Sequence, residues 1–280
     1  MSTYWCEHAW LPAGVAGGVE VQADRDGRIS AVRRGVRPVP GAHRLPGLVL
    51  PGMANAHSHA FHRALRGRTG GTGSFWTWRT EMYDLAGRLD PDRYLALATA
   101  VYAEMLLAGW TCVGEFHYLH HAPGGHRYAQ PTVMADALRA AAAHAQIRLT
   151  LLDTCYLAGG IGTGGTGMGL APEQARFADP TVAAWADRLG AHPQDTATSR
   201  TGAAIHSVRA VPRKALPEVV AATGARPLHV HLAEPSEVTD CRAAYGVSPA
   251  QLLHDTGGLG PSTTAVHAIH LNDVDVRLLG

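Results

Sequence analysis

From residue 49 onward, short apolar runs alternate with segments of helical spacing, and this alternation constrains the fold more than any other feature. Strands are expected in LPGLVLPGMANAHSH, which reads as one buried strand with polar residues at its C-terminal end. Further strands are expected at 110–116 (WTCVGEF), 147–155 (IRLTLLDTC), 203–208, 226–233 (RPLHVHLA) and 263–269 (TTAVHAI). Helical spacing covers 92–108, where Pro91 suits a helix start, then 132–145, 172–190 with a break near Pro180, 212–222, 248–256 and 272–279. Six β-then-α units in succession call for a parallel sheet with crossover helices. A doubly wound sheet and a (β/α)8 barrel both satisfy that pattern. The Gly-rich stretch 158–169 (AGGIGTGGTGMG) reads as a loop. It has neither a GxGxxG opening a helix after a strand nor a GK[ST], so no phosphate-binding loop is expected there.

The first 48 residues read differently, as a small β-rich domain. VEVQADRDGRISAV alternates about Asp24-Arg25-Asp26-Gly27, a hairpin signal. The expected organisation is thus residues 1–48 as a small β domain and 49–280 as the βα domain. A chain of 280 residues with 46% hydrophobic and 17% charged residues can bury a substantial core and is not a disordered one. No run of 18 apolar residues is present, so no membrane partner is expected. The N-terminus lacks a basic segment followed by an apolar one, so no secretory leader is expected. Twenty-four basic residues nearly cancel 23 acidic ones, leaving no field for nucleic acid. Cys6, Cys112, Cys155 and Cys241 form no CxxC pair, which points to a reducing cytoplasm rather than to a disulfide framework.

Seventeen histidines are the anomaly of the composition. Imidazole is the commonest protein metal ligand and titrates near neutrality. The polar residues fall at the ends of successive strands: His57 and His59, then Glu115, His117 and Tyr118, then His206 and Arg209, His231 and Glu234, and His267 and His270. In a barrel all these ends lie on one face, where active sites form.

His57-x-His59 places two imidazoles on the same side of an extended strand, where they can grip one ion. Two exposed or structural histidines would give the same pattern. His231, at a later strand end, strengthens the metal reading, while His229 sits deeper and reads as a packed core residue. Glu234 is placed to act as an acid or base beside a metal site, or else as a carboxylate favoured at a helix N-terminus beside Pro235. His267 is favoured over His270 because it lies closer to the strand; a helix beginning there would put both on one face. His117, His120 and His121 read as a polar loop with one or two members reaching substrate.

These residues together resemble the amidohydrolase superfamily and, within it, the formimidoylglutamate deiminases. The similar stretches are LPGMANAHSHAFHRAL, SFWTWRTEMY, AGWTCVGEFHYLHH, HSVRAV, VHLAEPSEVTDC and VHAIH. The resemblance implies a TIM-type (β/α)8 barrel with a small β domain and one zinc ion, although imidazole sites also take iron or other transition metals. It implies His57, His59 and His231 as metal ligands, Glu234 as the proton carrier and His267 as the group that stabilises developing charge. Arg79, Tyr118, His206, Arg209 and His62 would hold a small-molecule substrate bearing carboxylates; His62 stands where that family often has Gln. A cytoplasmic homodimer in histidine degradation is implied as well. The implied reaction is hydrolysis of N-formimidoyl-L-glutamate to N-formyl-L-glutamate and ammonia. A deaminase of the same superfamily acting on a nucleobase or guanidine-like group is the alternative, with an inactive remnant as a third. In the family an aspartate after strand 8 completes the metal site. Here six units precede Gly280, and Asp273 and Asp275 are poorly placed to substitute. The expectation is therefore an incomplete barrel with uncovered edges, prone to poor solubility or association with another chain.

Overall fold

The computed structural model of the protein describes residues 1–68 and 75–280. Its contacts divide the chain into Met1–Met53 and Ala54–Gly280.

In the first unit, β1 (Ser2–Leu11) and β2 (Gly14–Ala23) form an antiparallel hairpin, and β3 (Ile29–Arg33) and β4 (His43–Val49) flank it in the order β3-β2-β1-β4. The β2–β3 turn is the one expected at Asp24–Gly27. Asp24 Oδ1 accepts from the amides of Asp26 and Arg28, each at 2.9 Å, and Gly27 takes φ +77°. The stretch LPGLVLPGMANAHSH is not one buried strand. Its first part belongs to β4, parallel to β1, and its second to β5 (Met53–Ser58) in a different sheet. Leu48, Leu50 and Met53 are 50%, 61% and 47% exposed. Pro51 and Gly52 break the run, because proline removes a ladder donor, while Pro46 and Gly47, at φ +75°, mark a bulge within β4.

The second unit is the expected βα alternation. After β5 come a 3-10 turn (Ala60–Leu65), α1 (Phe75–Arg88), α2 (Pro91–Leu107), β6 (Trp110–His117), α3 (Val133–Ala145) and β7 (Arg148–Cys155). Then follow α4 (Val182–Gly190), β8 (Ser199–Ile205), α5 (Leu216–Thr223), β9 (Leu228–Leu232), α6 (Pro235–Tyr245), α7 (Pro249–Asp255), β10 (Thr263–His267) and α8 (Asp273–Leu279). Helix α1 had no counterpart in the sequence reading, and α6 appeared there only as the alternative of a helix starting beside Pro235. Ser74 of the SFWTWR motif lies outside the described residues.

Helix α2 shows why these segments are helical. Asp90 caps it by accepting from the Arg93 amide at 2.8 Å, and Pro91 occupies the first turn. Tyr94, Ala98, Val101 and Tyr102 then recur at helical spacing and are buried. The break expected near Pro180 within 172–190 is present, but the piece before it is not α-helix. Pro172–Arg176 is a 3-10 turn, and α4 starts only after Thr181, whose hydroxyl accepts from the Ala184 amide at 3.1 Å. Nor does a helix begin at His267: His267 and Ala268 take φ +68° and +48°, and α8 starts at Asp273.

The six strands lie in sequential order β10-β9-β8-β7-β6-β5, and every pairing from β6 to β10 is parallel. Laid flat, five steps at about 4.8 Å would put β5 and β10 roughly 24 Å apart. Yet the rings of His57 on β5 and His267 on β10 have centroids 6.0 Å apart, closer than two side chains could span on a flat sheet. The sheet is therefore curled into six strands of a TIM-type barrel. The sheet and its helices bury two apolar clusters, one including Phe61, Phe116, Leu151 and Leu152 and the other Trp185, Ile205 and Val230, all at most 1% exposed. Among the described residues no helix is long and apolar enough to cross a membrane.

Candidate metal centre and substrate cleft

His57 lies on β5, His59 one residue beyond it and His231 on β9, and the curl of the sheet brings them together. His59 Nε2 is 3.1 Å from His57 Nε2 and 3.2 Å from His231 Nε2. The second ring nitrogen explains how two of the rings are held. His59 Nδ1 donates to the Phe116 carbonyl and His231 Nδ1 to the His206 carbonyl, both at 2.8 Å. A carbonyl can only accept, so each neutral ring carries its proton on Nδ1 and a lone pair on Nε2.

Burial holds these rings neutral. It pushes His59 and His231 well below the ordinary histidine range, with help from neighbouring imidazoles. His57 is pushed down to about 4 by burial and then by His267 and His229. Two lone pairs 3.2 Å apart repel unless a cation lies between them. With metal–nitrogen bonds of 2.0–2.1 Å, tetrahedral ligands stand about 3.3 Å apart, close to the spacings here. The three imidazoles thus fit a divalent transition metal in donor type and spacing, and His59 and His231 in protonation as well.

Glu234 and His267 stand beside this cluster. Glu234 is the residue before α6, but its carboxylate does not cap the helix. Oε2 accepts from Arg209 Nη2, and Oε1 is 3.9 Å from His267 Nε2. The His267 ring stacks on His231 with centroids 5.2 Å apart. Ala233, His267 and Ala268 all have positive φ, which costs about 1–2 kcal/mol per non-glycine residue. The Ala268 amide bonds to Leu232 O at 2.9 Å and the His270 amide to Ala233 O at 3.2 Å, so the ends of β9 and β10 hold each other in that conformation. Backbone strain of this kind collects at functional sites.

A cleft opens from His59, His231 and Glu234 and is lined by His62, Arg79, Tyr118, His206 and Arg209. Every residue assigned to substrate from the sequence therefore faces one space. His62 Nε2 and the Tyr118 hydroxyl are 2.7 Å apart. Arg79 Nε donates to the Tyr83 hydroxyl at 2.7 Å, with its guanidinium over the Tyr83 ring. His62 and His206 are both pushed down to about 3, by burial first and then by His57 for the one and by Arg209 and Arg79 for the other.

Three other histidines lie elsewhere. His117, His120 and His121 do not form a polar loop reaching the cleft; all three are buried. His120 Nε2 bonds to Thr154 O at 2.9 Å, and His121 Nε2 to Ala178 O at 3.1 Å. Beside them Arg188 pairs with both Asp153 and Asp179, and His192 Nε2 is 2.8 Å from Asp153 Oδ2. Helix α4 supplies Arg188 to this charged core, while the loop after β6 is held inward by Arg176, whose carbonyl accepts from the His120 and His121 amides and whose Nε donates to His121 O. His229 is buried one pleat below His231, near Gly114. His270 is exposed. Asp275 bonds to the Ser248 hydroxyl and the Asn272 amide, away from the cleft.

The sequence reading missed Tyr156 and Gln174, which also line the cleft. Tyr156 directly follows β7, so the strand-end rule that found the other residues reaches it too. Gln174 comes from the 3-10 turn Pro172–Arg176, and no sequence signal marks it.

Residues 48–280 match the amidohydrolase family profile. Formimidoylglutamate deiminase of Pseudomonas aeruginosa is 39% identical over 287 positions, covering 100% of this chain and 62% of that protein. The 8-oxoguanine deaminase of the same organism is 32% identical, covering 95% of this chain and 58% of that protein. The crystal structure of an amidohydrolase from Brucella melitensis superposes with a TM-score of 0.93 at 34% identity, over all of this chain and 62% of that one. The chain thus spans about three-fifths of the length of these relatives. Strand order, the convergence of polar residues at the strand ends and the sequence match lead to one conclusion: this chain belongs to the amidohydrolase family.

Proposed function

We propose that the protein hydrolyses the C–N bond of N-formimidoyl-L-glutamate, releasing ammonia and N-formyl-L-glutamate, with zinc as its metal. The observation that carries this reading is the opening of a three-imidazole cluster into a cleft containing both Arg79 and Arg209. The cluster suits hydrolysis at a carbon–nitrogen centre, and paired guanidiniums suit a substrate with carboxylates. The 39% identity to a formimidoylglutamate deiminase supports the same substrate.

Zinc held by His57, His59 and His231 would supply Lewis acidity and lower the pKa of water toward neutrality. Glu234 then takes the proton from the attacking water at Oε1, the oxygen not bonded to Arg209, and passes it to the departing nitrogen. His267, across from Glu234, stabilises charge developing on the added oxygen. Arg79 and Arg209 bind the carboxylates, and Tyr118, His62 and His206 wall the cleft around the chain of the substrate. This activity places the protein in histidine degradation.

The 32% identity to an 8-oxoguanine deaminase supports a second reading, deamination of a nucleobase. The decisive experiment measures ammonia release from N-formimidoyl-L-glutamate and from 8-oxoguanine by zinc-loaded protein. Release from the first only, lost in His231→Ala, supports the proposal. Release from the second only establishes the alternative, and release from neither overturns both.

A further inference from the structure

The wall of the cleft contains a hydroxyl whose hydrogen-bonding direction is set from behind. Tyr156 and Gln174 are buried, at 6% and 2% exposure. Gln174 Oε1 accepts from the Ala171 amide at 2.7 Å, which identifies the oxygen of that side-chain amide. The remaining atom, Nε2, must donate, and it does so to the Tyr156 hydroxyl oxygen at 2.7 Å. Burial raises the Tyr156 pKa, so the phenol keeps its proton at neutral pH, although Arg79 and Arg209 act in the opposite direction. The phenolic proton therefore points away from Gln174. The cleft that Tyr156 lines also holds Arg79 and Arg209, which can only donate, and Tyr83 and Glu234, whose oxygens accept from them. Arg209 Nε is itself buried without a partner among the described residues. Two guanidiniums and the phenol offer more N–H and O–H groups than these two oxygens use, and an acceptor on the ligand would take up the surplus.

We propose that Tyr156 is a third donor, beside Arg79 and Arg209, to a carboxylate of the substrate, and that Gln174 is the positioning residue that aims its proton. Tyr156 thereby contributes to selection of carboxylate-bearing substrates. This inference rests on the deiminase reading for its substrate but not for its anion chemistry.

Two variants test it. Tyr156→Phe keeps the ring and removes the donor. Gln174→Glu keeps the acceptor for the Ala171 amide but places a second acceptor against Tyr156, drawing the phenolic proton backward. With N-formimidoyl-L-glutamate, both should raise KM about 10- to 100-fold, the usual range for a lost hydrogen bond to a charged group, with kcat within about twofold. The Tyr156→Phe penalty should vanish on one of two analogues, N-formimidoyl-4-aminobutyrate, which lacks the α-carboxylate, or N-formimidoyl-norvaline, which lacks the side-chain carboxylate. An unchanged KM in Tyr156→Phe, a normal KM in Gln174→Glu, or an equal penalty on all three substrates overturns the proposal. If the wild-type protein does not turn over N-formimidoyl-L-glutamate, the deiminase reading fails separately. Calorimetric titration with glutarate then decides: binding weakened at least tenfold in Tyr156→Phe supports the anion subsite, and equal or absent binding overturns it.

Discussion

Arg209 donates through Nη2 to Glu234 Oε2, so a cation assigned to substrate binding also orients the residue assigned to proton transfer. The contact joins the loop after β8 to the start of α6. It leaves Oε1 facing His267, 3.9 Å away. Arg209→Lys should therefore lower kcat as well as raise KM, because a single ammonium cannot reproduce two separate N–H contacts. We expect kcat/KM to fall about 10- to 100-fold. Steady-state kinetics check this, and a change confined to KM would show that Glu234 keeps its position without Arg209.

Metal removal should destabilise the protein. Three imidazoles, with the lone pairs of His59 and His231 converging, are held together at a cost that a bound cation offsets. A metal at 100 times its dissociation constant adds about 2.7 kcal/mol of stability. Chelator-treated protein should melt at a lower temperature than zinc-loaded protein, and His231→Ala should lose both the bound metal and most of that difference. Equal melting temperatures with and without metal would contradict the ligand assignment.

The charged core around Arg188 should be sensitive to removal of its cation. Arg188 is 4% exposed and bonds to Asp153 and Asp179, which are fully buried or nearly so. Against the effect of burial, Arg188 with His120 and His192 holds the carboxyl of Asp153 well below its usual range, and His121 with Arg188 holds that of Asp179 below it. Arg188→Met leaves two buried carboxylates short of a partner and should cost about 3–5 kcal/mol. Urea unfolding reads the loss directly; a change below about 1 kcal/mol would show that the aspartates find compensation elsewhere.

Glu237 gives a pH-dependent prediction. Burial pushes its carboxyl up from 4.5 to about 7, although the Val208 and Glu234 amides both donate to it. The folded state therefore favours the protonated form. The associated stability is present below about pH 4.5 and is lost as pH rises through about 7, amounting to about 3 kcal/mol over that window. Glu237→Gln cannot ionise, so its stability relative to wild type should improve steadily from pH 4.5 to 7.5. A constant difference across the series, read by urea midpoints, would contradict the raised value.

The sequence by itself determined the βα alternation, the hairpin at Asp24–Gly27 and the strand ends that carry His57, His59, His206, His231 and His267. Those features are local: apolar period, turn chemistry and the i, i+2 direction of strand side chains follow from neighbours along the chain. It did not determine that 45–59 splits between two sheets, that 172–190 begins as a 3-10 turn, or that His117, His120 and His121 turn inward. The inward turn depends on distant partners: Arg176 bonds to the backbone of His120 and His121, and the rings of those two bond to the carbonyls of Thr154 and Ala178. The cleft itself required the tertiary curl. Only bending the sheet brings His59 within 3.2 Å of a residue 172 positions later, and only packing of the 3-10 turn places Gln174 behind Tyr156. Residue types and strand positions thus gave the ingredients of the site, while distances, proton directions and the coupling of Arg209 to Glu234 came from the folded packing.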